Sequence, residues 1–186
     1  GMVVRLTDTW TEILRRRASN SNNVAYADPV RDMLGEMTAA AALMQANIKF
    51  DGSLVLQIFG DGPVKVAVVE VQPDLALRAT ATVVGAVEAN ATLSQMVNVG
   101  NEGRCAITLD PITKFPGQQP YQGVGPLFDD RRHKIEKISA VLEHYMLQSE
   151  QLDTTLVLAA NDQVAAGLLI QRLPMQGTEN LSGSMV

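Results

Sequence analysis

Residues 28–63 read DPVRDMLGEMTAAAALMQANIKFDGSLVLQIFGDGP, and this stretch decides the fold. Asp28 suits a helix N-cap, and Pro29 suits a first helical residue, whose N–H would be orphaned in any case. Val30, Met33, Leu34, Met37, Ala41 and Met44 then recur at spacings of three and four. From Thr38 to Ala46 the polar face almost vanishes, which marks a helix buried on all sides over about residues 29–46. Its alanines carry little bulk, so other layers can approach closely from more than one direction. After Lys49 the period changes to two: Leu54, Leu56 and Ile58 share one face, and Val55, Gln57 and Phe59 the other. Asp51-Gly52 opens this strand and Gly60-Asp61-Gly62-Pro63 closes it with turn chemistry.

The chain has 186 residues, which fits a single domain with a core of its own. With 46% hydrophobic and 19% charged residues it reads as globular. A net charge of −5 argues against a general nucleic-acid binder, which needs a basic face. No apolar run approaches the roughly 20 residues of a membrane span, and there is no apolar signal-peptide region. Gly1-Met2 reads as a residue left ahead of a native methionine. A cytoplasmic location is the expectation. The one cysteine, Cys105, leaves no partner for an internal disulfide or a cysteine-based zinc site within the chain.

Elsewhere, residues 3–17 alternate poorly for a strand. Thr9 to Arg17 reads as a short amphipathic helix, with Arg15, Arg16 and Arg17 a solvated end that suits the helix dipole. Strands are expected at Val64–Val71, Leu77–Val84, Arg104–Leu109, Tyr121–Leu127, Thr155–Ala160 and Val164–Leu173, the last two forming a hairpin around Asn161-Asp162-Gln163. In the third strand, Arg78, Thr80 and Thr82 oppose Leu77, Ala79, Ala81 and Val83, as in an antiparallel sheet with one wet face. Leu93 to Val97 is no more than a helical turn. Asp129 or Asp130 should cap a second helix over about residues 131–148, with Ile135, Ile138, Val141, Leu142 and Tyr145 as its packed stripe. Composition and periodicity by themselves give a soluble α/β domain with a covered helix. Residues 1–175 make the domain, and 176–186 a polar tail that ends as at a fragment boundary.

No catalytic, cofactor-binding or metal-binding constellation emerges. His133 and His144, both placed on the second helix, would lie roughly 16 Å apart along its axis, too far to share a metal. Gly60-Asp61-Gly62 lacks the helix start and Lys-Ser/Thr that a phosphate loop requires. Asp51, Asp61 and Asp162 sit in turns, where aspartate is favoured for backbone reasons. Cys105 shares an inward strand face with Ile107, which predicts a buried, inert thiol.

Three phrases carry a resemblance: IKFDGSLVLQIFGDGP at 48–63, YQGV at 121–124 and YMLQSEQL at 145–152. In this order and spacing they resemble the 33 kDa heat-shock chaperonin family of redox-regulated holdases, over about residues 10–175. The resemblance implies an α+β fold, with two mainly antiparallel sheets around a buried helix at about residues 29–46, and ATP-independent holding of unfolding proteins. It also implies a homodimer in the active state, and control by a C-terminal zinc domain with four cysteines. This sequence lacks those cysteines, so zinc and the redox switch are expected of the full-length protein, not of this chain. A holdase needs accessible apolar surface, which burial rewards at roughly 25 cal/mol per Å². The sequence leaves the client-binding residues unknown; the strand faces at Val64–Val71 and Leu77–Val84 are candidates, and equally candidates for core. A non-enzymatic module with one fixed partner is the alternative, and an enzyme with a pocket near Asp51 and Asp61 a third.

Overall fold

A run of alanines on one helix lets two sheets close on it from opposite sides. The computed structural model describes residues 1–173, so the expected polar tail at 176–186 lies outside the described residues. The elements run β1 (Met2–Leu6), α1 (Asp8–Ser19), α2 (Asp28–Asn47), β2 (Gly52–Phe59), β3 (Val64–Val71), β4 (Leu77–Val83), α3 (Leu93–Val97), β5 (Arg104–Pro111), β6 (Tyr121–Pro126), α4 (Ile138–Glu150), β7 (Thr154–Ala160) and β8 (Ala165–Gln171). One sheet has the order β1-β8-β7 and the other β4-β3-β2-β5-β6. Every pairing is antiparallel. Helix α2 packs against β1, β7 and β8 of the first sheet and β2, β3 and β4 of the second. Ala39, Ala40 and Ala41 are fully buried between them. This is the α+β class that the resemblance implies, built on the covered helix that the alanine run predicts.

The core is aliphatic. Leu54, Leu56 and Ile58 of β2 meet Val69, Val71 and Ile107 on the inner face of the five-stranded sheet, all buried against α2. Each such side chain contributes roughly 1.5–3 kcal/mol. On the other side of α2, Gly35 creates the space for a tryptophan. A Cβ at Gly35 would lie 2.5 Å from the Ala160 Cβ and 3.0 Å from the Trp10 ring. Glycine inside a helix costs about 1 kcal/mol relative to alanine. Here it lets fully buried Trp10 reach the β7–β8 corner, where its Nε1 donates to the Asn161 carbonyl at 2.7 Å.

Three expectations are corrected. Met2–Leu6, read as poor strand sequence, is β1, paired from Met2↔Leu169 to Leu6↔Ala165. Met2, Val4 and Leu6 do alternate with exposed Val3 and Arg5, but the five-residue signal is lost when read together with α1. At the start of α2 the N-cap is Ala27; Asp28 lies inside the first turn and pairs with Arg31 at 3.0 Å. The second long helix starts at Ile138, not near 131. Asp129 accepts from the Arg131 and His133 amides (2.9 and 2.8 Å), so its preference for local backbone bonds builds a turn, not a helix cap. Phe128 then bridges to Lys134, and Ile135 N–H donates to Leu127 O. His133 lies in that turn and His144 on α4, so the two histidines do not share a helix.

Candidate binding surface

The pleat that buries Leu54, Leu56 and Ile58 turns Val55, Gln57 and Phe59 outward, and the register carries this across the sheet. One outer row runs Val68–Gln57–Ala106–Val124, the next Val66–Phe59–Arg104–Pro126, and a third Glu70–Val55–Thr108–Gln122. Phe59 is 42% exposed and Val124 56%, while Val55, Val66 and Val68 are half-buried beside them. Among the described residues the long helix packed on this sheet is α2, and it takes the inner side. The outer face is therefore a bare, mildly apolar surface, with Gln57, Arg104 and Thr108 interspersed on β2 and β5. At the β4 margin Arg78 Nε donates to Glu70 Oε2 at 2.8 Å.

The two strands singled out in the sequence contribute differently. In β3, Val64, Ala67, Val69 and Val71 are core, and Val66 and Val68 face outward. In β4 the apolar set Leu77, Ala79, Ala81 and Val83 turns to the inner side, and Arg78, Thr80 and Thr82 form the outer row. The alternation of β2 already held Val55 and Phe59 as a second face. Val124 sits among glycines that hide its period.

A second bare face lies on the opposite side of the molecule, on the three-stranded sheet. Val3, Leu168 and Val157 are cross-strand neighbours there. Val3 is 77% exposed and Val157 58%, with Ile170 exposed on the same strand as Leu168. Sequence reasoning missed this face because β1 was not recognised.

An apolar cleft of about 300 Å³ opens between the sheets, lined by Met44, Ile48, Leu109, Tyr121, Tyr145 and Met146. Tyr121 donates to Glu150 Oε1 at 2.6 Å. The Tyr145 hydroxyl is buried and makes no hydrogen bond to a described residue. It presses against Gly123, where no Cβ would fit. Burial raises the Tyr145 phenol above its usual range, so it stays neutral.

The polar residues weighed in the sequence stay apart. Cys105 is buried, and desolvation pushes its thiol up to about 12, which leaves no thiolate to attack or to ligate. Asp61 does more than terminate a turn. Its carboxylate accepts from the Val99, Gly100 and Glu102 amides at 2.6, 2.7 and 3.0 Å, pinning the loop before β5 to the β2–β3 hairpin. Burial opposes its charge, but those three N–H groups hold it below the usual carboxylate range. Asp51 and Asp162 are exposed turn residues. Among the described residues no three His, Cys, Asp or Glu side chains converge as a metal site would need. With a single, buried cysteine the chain does not fit a four-thiolate zinc site. No helix among the described residues is long and apolar enough to cross a membrane. What the described residues offer here is contact area.

Known proteins share this architecture and sequence. The chain is 44% identical over 174 residues to the 33 kDa chaperonin of Chromobacterium violaceum, covering 94% of this chain and 53% of that protein. It is 38% identical over 177 residues to the 33 kDa chaperonin of Methylobacillus flagellatus, covering 95% and 54%. The chain thus spans about half the length of the curated relatives it matches. The crystal structure of the Thermotoga maritima 33 kDa chaperonin superposes with a TM-score of 0.69 at 20% identity, over 91% of this chain and 55% of that one, and shares the fold. The family model described as Hsp33 protein matches residues 1–184, and the chain belongs to that family.

Proposed function

We propose that this chain is the binding domain of a non-enzymatic, ATP-independent chaperone that holds unfolding proteins on its bare sheet faces. The observation that carries the reading is the outer face of the five-stranded sheet. There Phe59 and Val66 are cross-strand neighbours and Val55, Val68 and Val124 share their face, with no helix on them among the described residues. Proteins that have lost their packing offer apolar side chains, and burying those against such a face is favourable without any chemical step. The kinship with 33 kDa chaperonins supports the same reading. In the full-length protein, zinc and the redox switch belong to a cysteine-bearing segment that this chain does not supply. A cytoplasmic setting, a homodimer and the absence of nucleic-acid or membrane partners complete the proposal.

Light scattering of a heat-unfolding test protein provides the check, with this chain at equal concentration, reduced and without ATP. Suppressed scattering, with no binding to the same protein folded, is the expected result. Unchanged scattering would contradict the reading. A stoichiometric complex with one folded partner would favour the fixed-partner module instead.

A further inference from the structure

The β4 edge of the five-stranded sheet carries a feature that a flat apolar face does not explain. Gln72 N–H donates to Ala76 O at 2.8 Å, which sets the phase of the β3–β4 ladder. With the pairs Glu70↔Arg78, Val69↔Ala79 and Val68↔Thr80, Arg78 and Thr80 turn their backbone groups toward β3, and Leu77, Ala79 and Ala81 turn theirs away. Ala81 confirms the direction: its N–H donates to the Tyr26 hydroxyl at 2.9 Å. Tyr26 is held in place by the Arg17 guanidinium, 4.4 Å above its ring. The hydroxyl thus stands where a neighbouring strand's carbonyl would be, and it closes one end of the edge. Leu77 and Ala79 N–H groups make no hydrogen bond to a described residue, and neither position carries the lysine or proline that blunts many edges.

The edge borders an open groove. A cavity of about 420 Å³ lies between β4 and α1, floored by Ile13, Leu77 and Ala79 and rimmed by Arg16, Arg17 and Arg78. The volume falls within the roughly 300–1,000 Å³ of ligand-sized sites. Arg16 is paired with Glu12 and Arg78 with Glu70, so the rim keeps one positive charge in excess, on Arg17, in a chain whose net charge is −5. Glu12 bonds Arg16 and Arg15 (2.8 and 2.7 Å), and Arg17 makes no ion pair to a described residue.

The geometry points to strand addition at β4: an extended segment of an unfolded protein, alternating apolar and acidic side chains, pairs with the Leu77 and Ala79 backbone. Its apolar side chains enter the groove against Ile13 and Leu77. Its carboxylates meet Arg17, the rim arginine that no carboxylate among the described residues already pairs. Such pairing is sequence-tolerant, because the affinity comes from main-chain bonds and alternate side chains set the preference. The next residues of the segment run alongside the bare outer face, which the β4 edge bounds. The choice of an unfolded segment as occupant rests on the holdase reading.

The test uses a short fluorescein-labelled peptide of alternating valine and glutamate, its lysine counterpart, and a copy N-methylated along one edge. The acidic peptide should bind the 186-residue chain and slow amide hydrogen exchange at Leu77 and Ala79, and the N-methylated and lysine peptides should bind weakly. Ala79→Pro removes only an N–H that β3 does not use, a position proline tolerates at an edge. It should weaken binding roughly tenfold, the scale of one or two lost hydrogen bonds. Arg17→Glu should remove the preference for the acidic peptide. Unchanged affinity in a folded Ala79→Pro variant would overturn the proposal, as would unchanged exchange at Leu77 and Ala79 in the parent chain under saturating peptide. The exchange arm needs no variant, so a misfolded Ala79→Pro leaves the question decidable. The aggregation assay on the parent chain is read separately: its failure removes the holdase reading and leaves strand addition to the peptide data.

Discussion

The two faces of the five-stranded sheet are built from the same strands and differ in almost everything else. The inner face presents Leu54, Leu56, Ile58, Val69 and Ile107 to α2, and all five are buried. The outer face presents Val55, Phe59, Val66, Val68 and Val124 to solvent. Both carry aliphatic side chains, so composition alone does not separate a core face from an exposed one. What separates them is the presence of a partner layer: α2, with its alanines, fills one side and nothing described fills the other. Residual hydrophobicity on a bare face adds little to the monomer's stability and leaves driving force for binding.

That contrast orders the expected effects. Leu56→Ala on the inner face should cost about 3–4 kcal/mol in chemical denaturation, from lost transfer energy plus the cavity between β2 and α2. A cost under about 1 kcal/mol would mean the inner face is loosely packed. Gly35→Ala should cost about 2 kcal/mol although alanine is the better helix former, because its methyl meets Ala160 and Trp10. A gain in stability there would show that α2 and the β7–β8 corner are not in close contact.

Glu36 tests the same helix by pH. Burial first, and then Asp32, raises its carboxyl from 4.5 to about 7, with Lys137 partly opposing. A raised acid favours the protonated fold, so Glu36 costs nothing below about 4.5. Its cost grows as pH rises through that window and is complete above about 7. Glu36→Gln should therefore stabilise the protein at pH 8 by roughly 1–2 kcal/mol, discounted for partial exposure, and leave stability at pH 4 unchanged. Thermal melts of both proteins at the two pH values provide the check; equal gains at both would rule out ionisation as the cause. The smallest effect belongs to the three-stranded sheet: Val157→Ser should change stability by under about 1 kcal/mol, since the side chain is 58% exposed.

Much of this was legible in residues 28–63. The change of period at Lys49 and the alanine run predict a covered helix followed by a hairpin, and β3 appears within its expected bounds. Local signals failed where a residue's role depends on a distant partner. β1 exists because β8 pairs with it, and five alternating residues beside a helix do not announce that. Asp129 and Asp28 both look like caps, yet one builds a turn and the other sits inside the helix. Asp61 reads as a turn residue, and its bonds to Val99, Gly100 and Glu102 appear only in three dimensions. The bare faces were partly legible: alternation sorts Val66 and Val68 from Val69 and Val71, but it cannot say which side a helix will cover.

The central claim is that the outer face of the five-stranded sheet holds unfolded chains. The most direct measurement replaces Phe59, Val66 and Val68 together with serine and compares aggregation suppression with the parent at matched concentration. The account predicts a protein that still folds, melts close to the parent and has lost most of its suppression. A folded triple variant that suppresses aggregation as well as the parent would contradict it.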